Sequence, residues 1–217
     1  MPPIENMLAV ALAGFLLSVT PGPSMLYVLS RSVGQSRAAG LASALGLALG
    51  GIVLAVATAL GLARLFTQMP ELVIILRYVG SAYLVWLGVG MVRNASNEAS
   101  VDLEARQVSR KALPTIVWQG VLVELLNPKT VLFFALFLPP FVDMAAAQSG
   151  QVSVQSQLLI LGVLVPLTAI PSDAVIAFMG GTMAQVLNHR RKFREGLGWA
   201  GGIVLILIAV NLHLGFI

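Results

Sequence analysis

The chain has 217 residues, of which 58% are hydrophobic and 10% are charged, and its formal net charge is +4. Soluble domains carry about 25% charged residues, so this composition excludes an ordinary soluble protein and indicates an integral membrane protein. The absence of cysteine excludes disulfides and thiolate sites, and the wide separation of His189 and His213 disfavours a histidine metal site. We therefore predict no metal and no cofactor.

Six apolar runs are long enough to cross a bilayer as helices. About 20 apolar residues span the hydrocarbon core, and none of the runs alternates with the period of two that a barrel strand needs. The sequence therefore predicts an all-α integral membrane protein with six transmembrane helices. The runs are approximately Met7–Ser30, Ala38–Leu65, Leu72–Val92, Leu113–Leu138, Val154–Leu187 and Gly196–Phe216.

Prolines interrupt the first and fourth runs near their middles. The first break is Thr20-Pro21-Gly22-Pro23 and the second is Asn127-Pro128-Lys129. Within hydrocarbon every backbone N–H and C=O needs a partner, so a broken helix is tolerated only where protein or a wet cavity surrounds it. The two breaks therefore predict a path or site in the middle of the membrane, although prolines that only kink a packed helix are the alternative.

The first break offers complementary groups for a zwitterion. Because proline has no N–H, Pro21 leaves the carbonyl of Leu17 without its helical partner, and Pro128 does the same to the carbonyl of Glu124. Unpartnered carbonyls favour an ammonium group. The half-helix that begins near Pro23 and Ser24 presents free N–H groups and a positive dipole end, which favour a carboxylate.

Basic residues predict the orientation of the chain. They cluster after the first, third and fifth runs, so the positive-inside rule places these loops in the cytoplasm and both termini outside. Anionic lipid headgroups are the expected partners of these loops, and no nucleic acid is expected. The clusters are Arg31 and Arg37; Arg93, Arg106, Arg110 and Lys111; and Arg190, Arg191, Lys192 and Arg194.

The chain also divides into two similar halves. We predict one transporter domain over residues 1–217, with repeat A at about 6–93, a cytoplasmic linker at about 94–111 and repeat B at about 112–217. Setting Pro21 against Pro128 gives the same helix order in both halves. Three helices in each half predict two inverted repeats, a transporter plan in which the site lies where broken helices meet.

Three ionisable residues, Glu124, Lys129 and Asp173, fall near the middle of predicted spans. Each costs about 2.5–3.5 kcal/mol at a helix centre, so they are expected to face the protein interior. Lys129 could pair with a substrate carboxylate or with Asp173, and Asp173 could hold a substrate amine or take up a proton. The alternatives are a permanent Lys129–Asp173 ion pair that only fixes packing, and a Glu124 side chain directed outward or toward a dimer partner.

These considerations define the candidate site. The proton-coupling candidates are Asp173 and Glu124. The substrate-binding candidates are Thr20, Pro21, Gly22, Pro23, Ser24, Asn127, Pro128, Lys129 and Asp173.

Four motifs in this order resemble those of the LysE/RhtB family of bacterial amino-acid exporters. They are Pro21-Gly22-Pro23, the run from Gly80 to Gly88, Asn127-Pro128-Lys129, and Leu138-Pro139-Pro140-Phe141. The resemblance covers nearly the whole chain. It implies a multi-pass protein of the bacterial cytoplasmic membrane that exports amino acids or similar small metabolites, uses the proton gradient and forms a homodimer. Neutral amino acids are the first expectation and basic amino acids the second.

Two other classes of membrane protein are less compatible with the residues. A channel or ion transporter without amino-acid specificity is the alternative function, but the isolated Lys129 argues against a cation pore. An enzyme is not expected, because the chain has no Gly-x-Ser-x-Gly motif and no Asp-Asp pair, and neither histidine adjoins a candidate serine at mid-depth.

Overall fold

The computed structural model describes residues 1–20, 22–68, 71–100, 109–189 and 191–214. These residues form helices joined by short turns and contain no strand, which confirms the predicted all-α class.

The first apolar run is broken as predicted. Helix α1 spans Ile4–Val19 and helix α2 spans Pro23–Gly34, and their axes differ by 52°. Thr20 and Gly22 have extended backbone conformations between them, while Pro21 lies outside the described residues. Pro23 occupies the first turn of α2, where the missing N–H removes no helical hydrogen bond.

The fourth run is broken in a similar way. Helix α5 spans Leu113–Leu125 and α6 spans Pro128–Leu132; α6 continues into a π-helical turn at Phe133–Phe137 and a 3-10 turn at Pro139–Phe141. The two parts of the run meet at 51°. The side chain of Asn127 caps α6 by accepting a hydrogen bond from the backbone N–H of Lys129 at 3.1 Å. This cap defines where α6 begins after the second break.

The remaining helices are mostly long. They are α3 at Arg37–Gln68, α4 at Glu71–Ser100, the short α7 at Met144–Gln148, α8 at Val154–His189 and α9 at Arg191–Leu214. Helix α4 continues through the first seven residues of the predicted linker. That stretch has no proline or glycine to stop the helix, and its Ala and Glu residues are good helix formers.

Two of these helices contain segments that are long and apolar enough to cross a membrane, Arg37–Gly61 and Val154–Gly180. Counting each bent pair as one span raises the number to four within the described residues. These apolar helices support a membrane location. Six spans arranged as inverted repeats stay a prediction.

Packing centres on α3 and α8. Helix α3 packs along α8, α5 packs on α3, α1 packs on α8, and α4 pairs with α9. Glycines permit the closest approaches, because a Cβ atom on Gly46 of α3 would overlap the carbonyl oxygen of Val117, and one on Gly120 of α5 would lie 2.8 Å from the carbonyl oxygen of Ser43. These contacts hold α5 tightly against α3 and so fix the position of the second break.

Candidate functional site

A cavity of about 50 Å³ lies where the two breaks meet α8. It brings together most of the predicted site residues from both halves of the chain. Those that line it are Thr20, Gly22, Ser24, Glu124, Asn127, Lys129 and Asp173.

The predicted prolines are placed differently. Pro23 and Pro128 do not line this cavity; they are exposed and border a separate groove with Tyr27 and Gln119. Their missing N–H groups interrupt the helices, while neighbouring residues supply the polar lining. Pro21 lies outside the described residues.

A chain of side-chain hydrogen bonds connects the two breaks. The Ser24 hydroxyl donates to Glu124 Oε2 at 2.5 Å, and Asn127 Nδ2 donates to Ser24 Oγ at 2.9 Å. Thr130 also hydrogen bonds to the Glu124 side chain. The Glu124 carboxylate therefore faces the cavity, and the alternative in which it is directed outward is wrong.

The ammonium group of Lys129 spans from the second break to the first. Lys129 Nζ donates to the carbonyl oxygen of Leu17 at 3.0 Å and, at 3.5 Å, to that of Thr20. The Leu17 carbonyl is the group that loses its helical partner to Pro21. An ammonium group does occupy the position that the sequence predicts for one, and it belongs to the protein itself.

The other carbonyl predicted to lack a partner has one. The backbone N–H of Asn127 donates to the carbonyl oxygen of Glu124 at 3.2 Å. The chain tightens by one residue before Pro128, so a bond between residues three apart replaces the usual bond between residues four apart. The two breaks therefore differ, and the exposed carbonyls are found at the first.

Asp173 brings a carboxylate to the cavity from the middle of α8. Its side chain is only 6% exposed and lines the cavity. Within the described residues no hydrogen bond is found at this carboxylate. The neighbouring Ser172 hydroxyl lies 2.8 Å from that of Ser18, which ties α8 to α1 beside the first break. Pairing of Lys129 with Asp173 stays a prediction.

Much of the cavity wall is apolar, and sequence reasoning missed it. Leu17, Met25, Leu47 and Val165 contribute side chains to the lining. These residues look like any others in an apolar run, so only the folded arrangement identifies them.

Two glycines, Gly14 and Gly51, also line the cavity and face α8. A Cβ atom on Gly51 would lie 2.8 Å from Cβ of Pro166, and one on Gly14 would lie 2.9 Å from Oγ1 of Thr168. Both positions therefore allow α1 and α3 to approach α8 closely beside the cavity.

Arg31 does not occupy the lipid-facing position expected for a loop residue. It lies in the last turn of α2 and is 5% exposed. Nη1 donates to the carbonyl oxygen of Ser109 at 3.1 Å, Nη2 donates to Gln119 Oε1 at 2.9 Å, and the guanidinium lies 5.7 Å from the centre of the Tyr27 ring. The long side chain reaches back from the helix end to α5 and to the residues before it, which explains its burial.

No cluster of three or more His, Cys, Asp or Glu residues suited to a metal occurs in the part of the chain that the structure describes.

Comparison with known proteins identifies the family. The LysE type translocator family matches residues 15–215. An uncharacterized membrane protein of Pseudomonas aeruginosa is 35% identical over 88% of this chain and 87% of its own length. A leucine efflux protein of Enterobacter sp. is 27% identical over 96% of this chain and 95% of its own, and a leucine efflux protein of Salmonella typhimurium is 31% identical over 61% of each.

No solved structure matches the chain. The family match covers nearly the whole sequence and includes both breaks and every residue of the cavity except Gly14. It supports the prediction of a transport protein over an enzyme. The chain belongs to the LysE type translocator family.

Proposed function

We propose that this protein exports neutral amino acids with aliphatic side chains across the bacterial cytoplasmic membrane, in exchange for protons. Two relatives are named leucine efflux proteins, which supports amino-acid export and an aliphatic substrate. The observation that carries the proposal is the cavity between the two breaks. It combines an ammonium, two carboxylates and an apolar wall in one small space.

The cavity chemistry matches each part of such a substrate. The substrate carboxylate binds near Ser24, at the positive end of α2, and near the ammonium of Lys129. The substrate amine binds near Asp173 and Glu124. An aliphatic side chain fits against Leu47, whose neighbours in the wall are also apolar.

Transport by alternating access is consistent with the size of the cavity. Its volume of about 50 Å³ is far below the roughly 300–1,000 Å³ of typical ligand pockets, so the surrounding helices must separate to admit an amino acid. The packing favours an inverted repeat, since α1 packs on α8 as α5 packs on α3, and the equivalent helices pair as α3 with α8 and α4 with α9. Relative rocking of two such halves opens the cavity to one side at a time.

Proton exchange requires a carboxylate that can be protonated when substrate is absent. Asp173 and Glu124 both line the cavity, so protonation of either competes with the substrate amine. In this scheme the empty protein returns with the proton bound. We also expect a homodimer with both termini outside and with lipid headgroups around the basic loops.

Labelled leucine counterflow in proteoliposomes tests the proposed function. An exporter accumulates external labelled leucine when the vesicles are loaded with unlabelled leucine, because the carrier exchanges one for the other. A channel or an ion transporter without amino-acid specificity gives no such accumulation. Failure of every aliphatic amino acid in this assay would reject the proposed substrate class.

The coupling residues are tested with Asp173→Asn and Glu124→Gln, each in the same vesicles. Loss of the proton requirement with retained counterflow identifies the coupling carboxylate, because counterflow needs no net proton movement. Glu5→Gln is the matched control, since Glu5 is exposed near the start of α1. Unchanged proton-driven transport in both cavity variants would remove the two carboxylates from the mechanism.

A further inference from the structure

We infer that Lys129 is a built-in competitor for the substrate amine: in the empty protein its ammonium occupies the ammonium-binding position formed by the Leu17 and Thr20 carbonyls. This inference rests on the proposed amino-acid export. It adds a specific binding position for the amine and an event that accompanies substrate binding.

The geometry of the first break defines this position. Helix α1 ends at Val19, and Thr20 has φ −77° and ψ 124°, so its carbonyl leaves the helical direction. The Leu17 carbonyl cannot bond to residue 21, because that residue is a proline. Two main-chain oxygens therefore converge on one nitrogen, Nζ of Lys129, at 3.0 and 3.5 Å.

The group that fills the position resembles the substrate amine. An alkylammonium on a lysine side chain and the α-ammonium of an amino acid carry the same charge and three N–H donors. The two carbonyl oxygens lie beside a cavity that also contains Asp173 and Glu124, so they attract the lysine ammonium and the substrate ammonium alike. The position is thus selective for ammonium groups in general, and the protein supplies one of its own when no substrate is bound.

Displacement of Lys129 has two consequences. One connection between the two breaks, from α6 to α1, is lost, because Lys129 belongs to α6 and Leu17 to α1. The released ammonium is then available to the substrate carboxylate. An amino acid has both an ammonium and a carboxylate, so it can take the place of the Lys129 ammonium and also form an ion pair with the released lysine. An amine without a carboxylate can only compete with Lys129 for the two carbonyls.

Because the Lys129 ammonium is part of the same chain, it is expected to weaken the binding of simple amines. A group held on the same chain acts at a high effective concentration, so a free amine must bind tightly to displace it. Removing the tethered ammonium therefore increases the affinity for 3-methylbutylamine, which is leucine without its carboxylate. The expected gain is about tenfold, which corresponds to the loss of one charge-assisted hydrogen-bond competitor.

The affinity experiment uses Lys129→Met in purified full-length protein, with Lys192→Met as the matched control because Lys192 is exposed. Titration calorimetry with 3-methylbutylamine is expected to show the tenfold gain in Lys129→Met and no change in Lys192→Met. An equal or weaker affinity in Lys129→Met overturns the inference.

A second measurement needs no variant and separates a competitor from a permanent structural bond. The chain has three lysines, Lys111, Lys129 and Lys192, and mass spectrometry reports the acetylation of each by acetic anhydride. The free amine also consumes acetic anhydride, so the acetylation of Lys129 is expressed as a ratio to that of Lys111 and Lys192. Saturating 3-methylbutylamine is expected to raise this ratio several-fold. An unchanged ratio overturns the inference, even if labelled leucine counterflow succeeds. Failure of counterflow with a positive acetylation result would instead reject the substrate class.

Discussion

The hydroxyl of Ser24 donates a 2.5 Å hydrogen bond to the carboxylate of Glu124, a residue 100 positions later in the chain. This bond and the one from Asn127 Nδ2 to the same hydroxyl join the two broken helices through side chains. Three residues therefore share one short network across the interface between the halves. Any movement that separates the breaks must rearrange it.

Ser24→Ala is expected to destabilise the protein. The change removes the donor to Glu124 and the acceptor for Asn127, and a buried polar group left unsatisfied costs about 1–3 kcal/mol. The melting temperature in detergent should fall clearly. Ser30→Ala, on the same helix, is the control, because among the described residues the Ser30 hydroxyl bonds only to the nearby Tyr27 carbonyl. Equal melting temperatures for the two variants would contradict the bridging role.

Gly46→Ala is expected to separate α3 from α5. The added methyl would overlap the Val117 carbonyl oxygen, a backbone atom that cannot rotate away. Overpacking of this kind costs about 1–3 kcal/mol. Gly61→Ala is the control on the same helix, because a Cβ atom at Gly61 meets no described residue within 4 Å. The two variants are compared by thermal unfolding, and a loss in Gly61→Ala as large as that in Gly46→Ala would contradict the packing argument.

The sequence was sufficient to predict the two helix breaks and the charged residues that line the cavity. Proline removes an N–H wherever it occurs, so the interruptions at Pro23 and Pro128 follow from covalent chemistry. The cost of an ionisable group in hydrocarbon likewise predicts that Asp173 and Glu124 face inward, although for Glu124 the sequence left an outward direction as an alternative. These predictions depend on single residues and not on how the helices pack.

The details that were missed depend on packing between distant residues. Nothing in the sequence around Lys129 says that its ammonium reaches Leu17, and Arg31 is indistinguishable in sequence from a loop cation. The carbonyl of Glu124 was expected to lack a partner, but a local tightening of the turn supplies the N–H of Asn127. The contacts of Lys129 and Arg31 depend on how α6 packs near α1 and how α2 packs near α5, which a linear pattern does not encode.

Gln157→Leu is expected to weaken the turn before α7. Gln157 is fully buried, and its amide accepts a hydrogen bond from the backbone N–H of Asp143 at 2.8 Å and donates one to the Asp143 carbonyl at 2.9 Å. Leucine leaves the backbone N–H of Asp143 unsatisfied at a cost of about 1–3 kcal/mol, whereas the Asp143 carbonyl still accepts a hydrogen bond from the backbone N–H of Ala147 at 3.2 Å. Thermal unfolding of Gln157→Leu should show a clearly lower melting temperature. Gln155→Leu, at an exposed position two residues earlier on α8, should unfold near the wild-type temperature. A stable Gln157→Leu protein would show that the Asp143 backbone finds other partners.

Arg31→Met is expected to loosen residues 109–112 locally with little effect on global stability. The variant loses the hydrogen bonds to Ser109 and Gln119, but it also removes a buried cation that has no carboxylate partner among the described residues, and these two effects oppose each other. Locally the variant only loses a contact, because the Arg31 guanidinium anchors the Ser109 carbonyl to α2. Hydrogen–deuterium exchange at residues 109–112 should therefore become faster.

Arg37→Met is the control for this experiment, since Arg37 is exposed at the start of α3. The side chain of Gln35 still holds the main chain of Lys111 in both variants, with bonds of 2.7 and 3.1 Å, so the expected change is an increase in exchange and not complete loss of protection. Exchange in Arg31→Met that equals that of the control would mean that Gln35 alone fixes this segment. A large fall in the melting temperature would mean that the lost hydrogen bonds outweigh the relief of the buried charge.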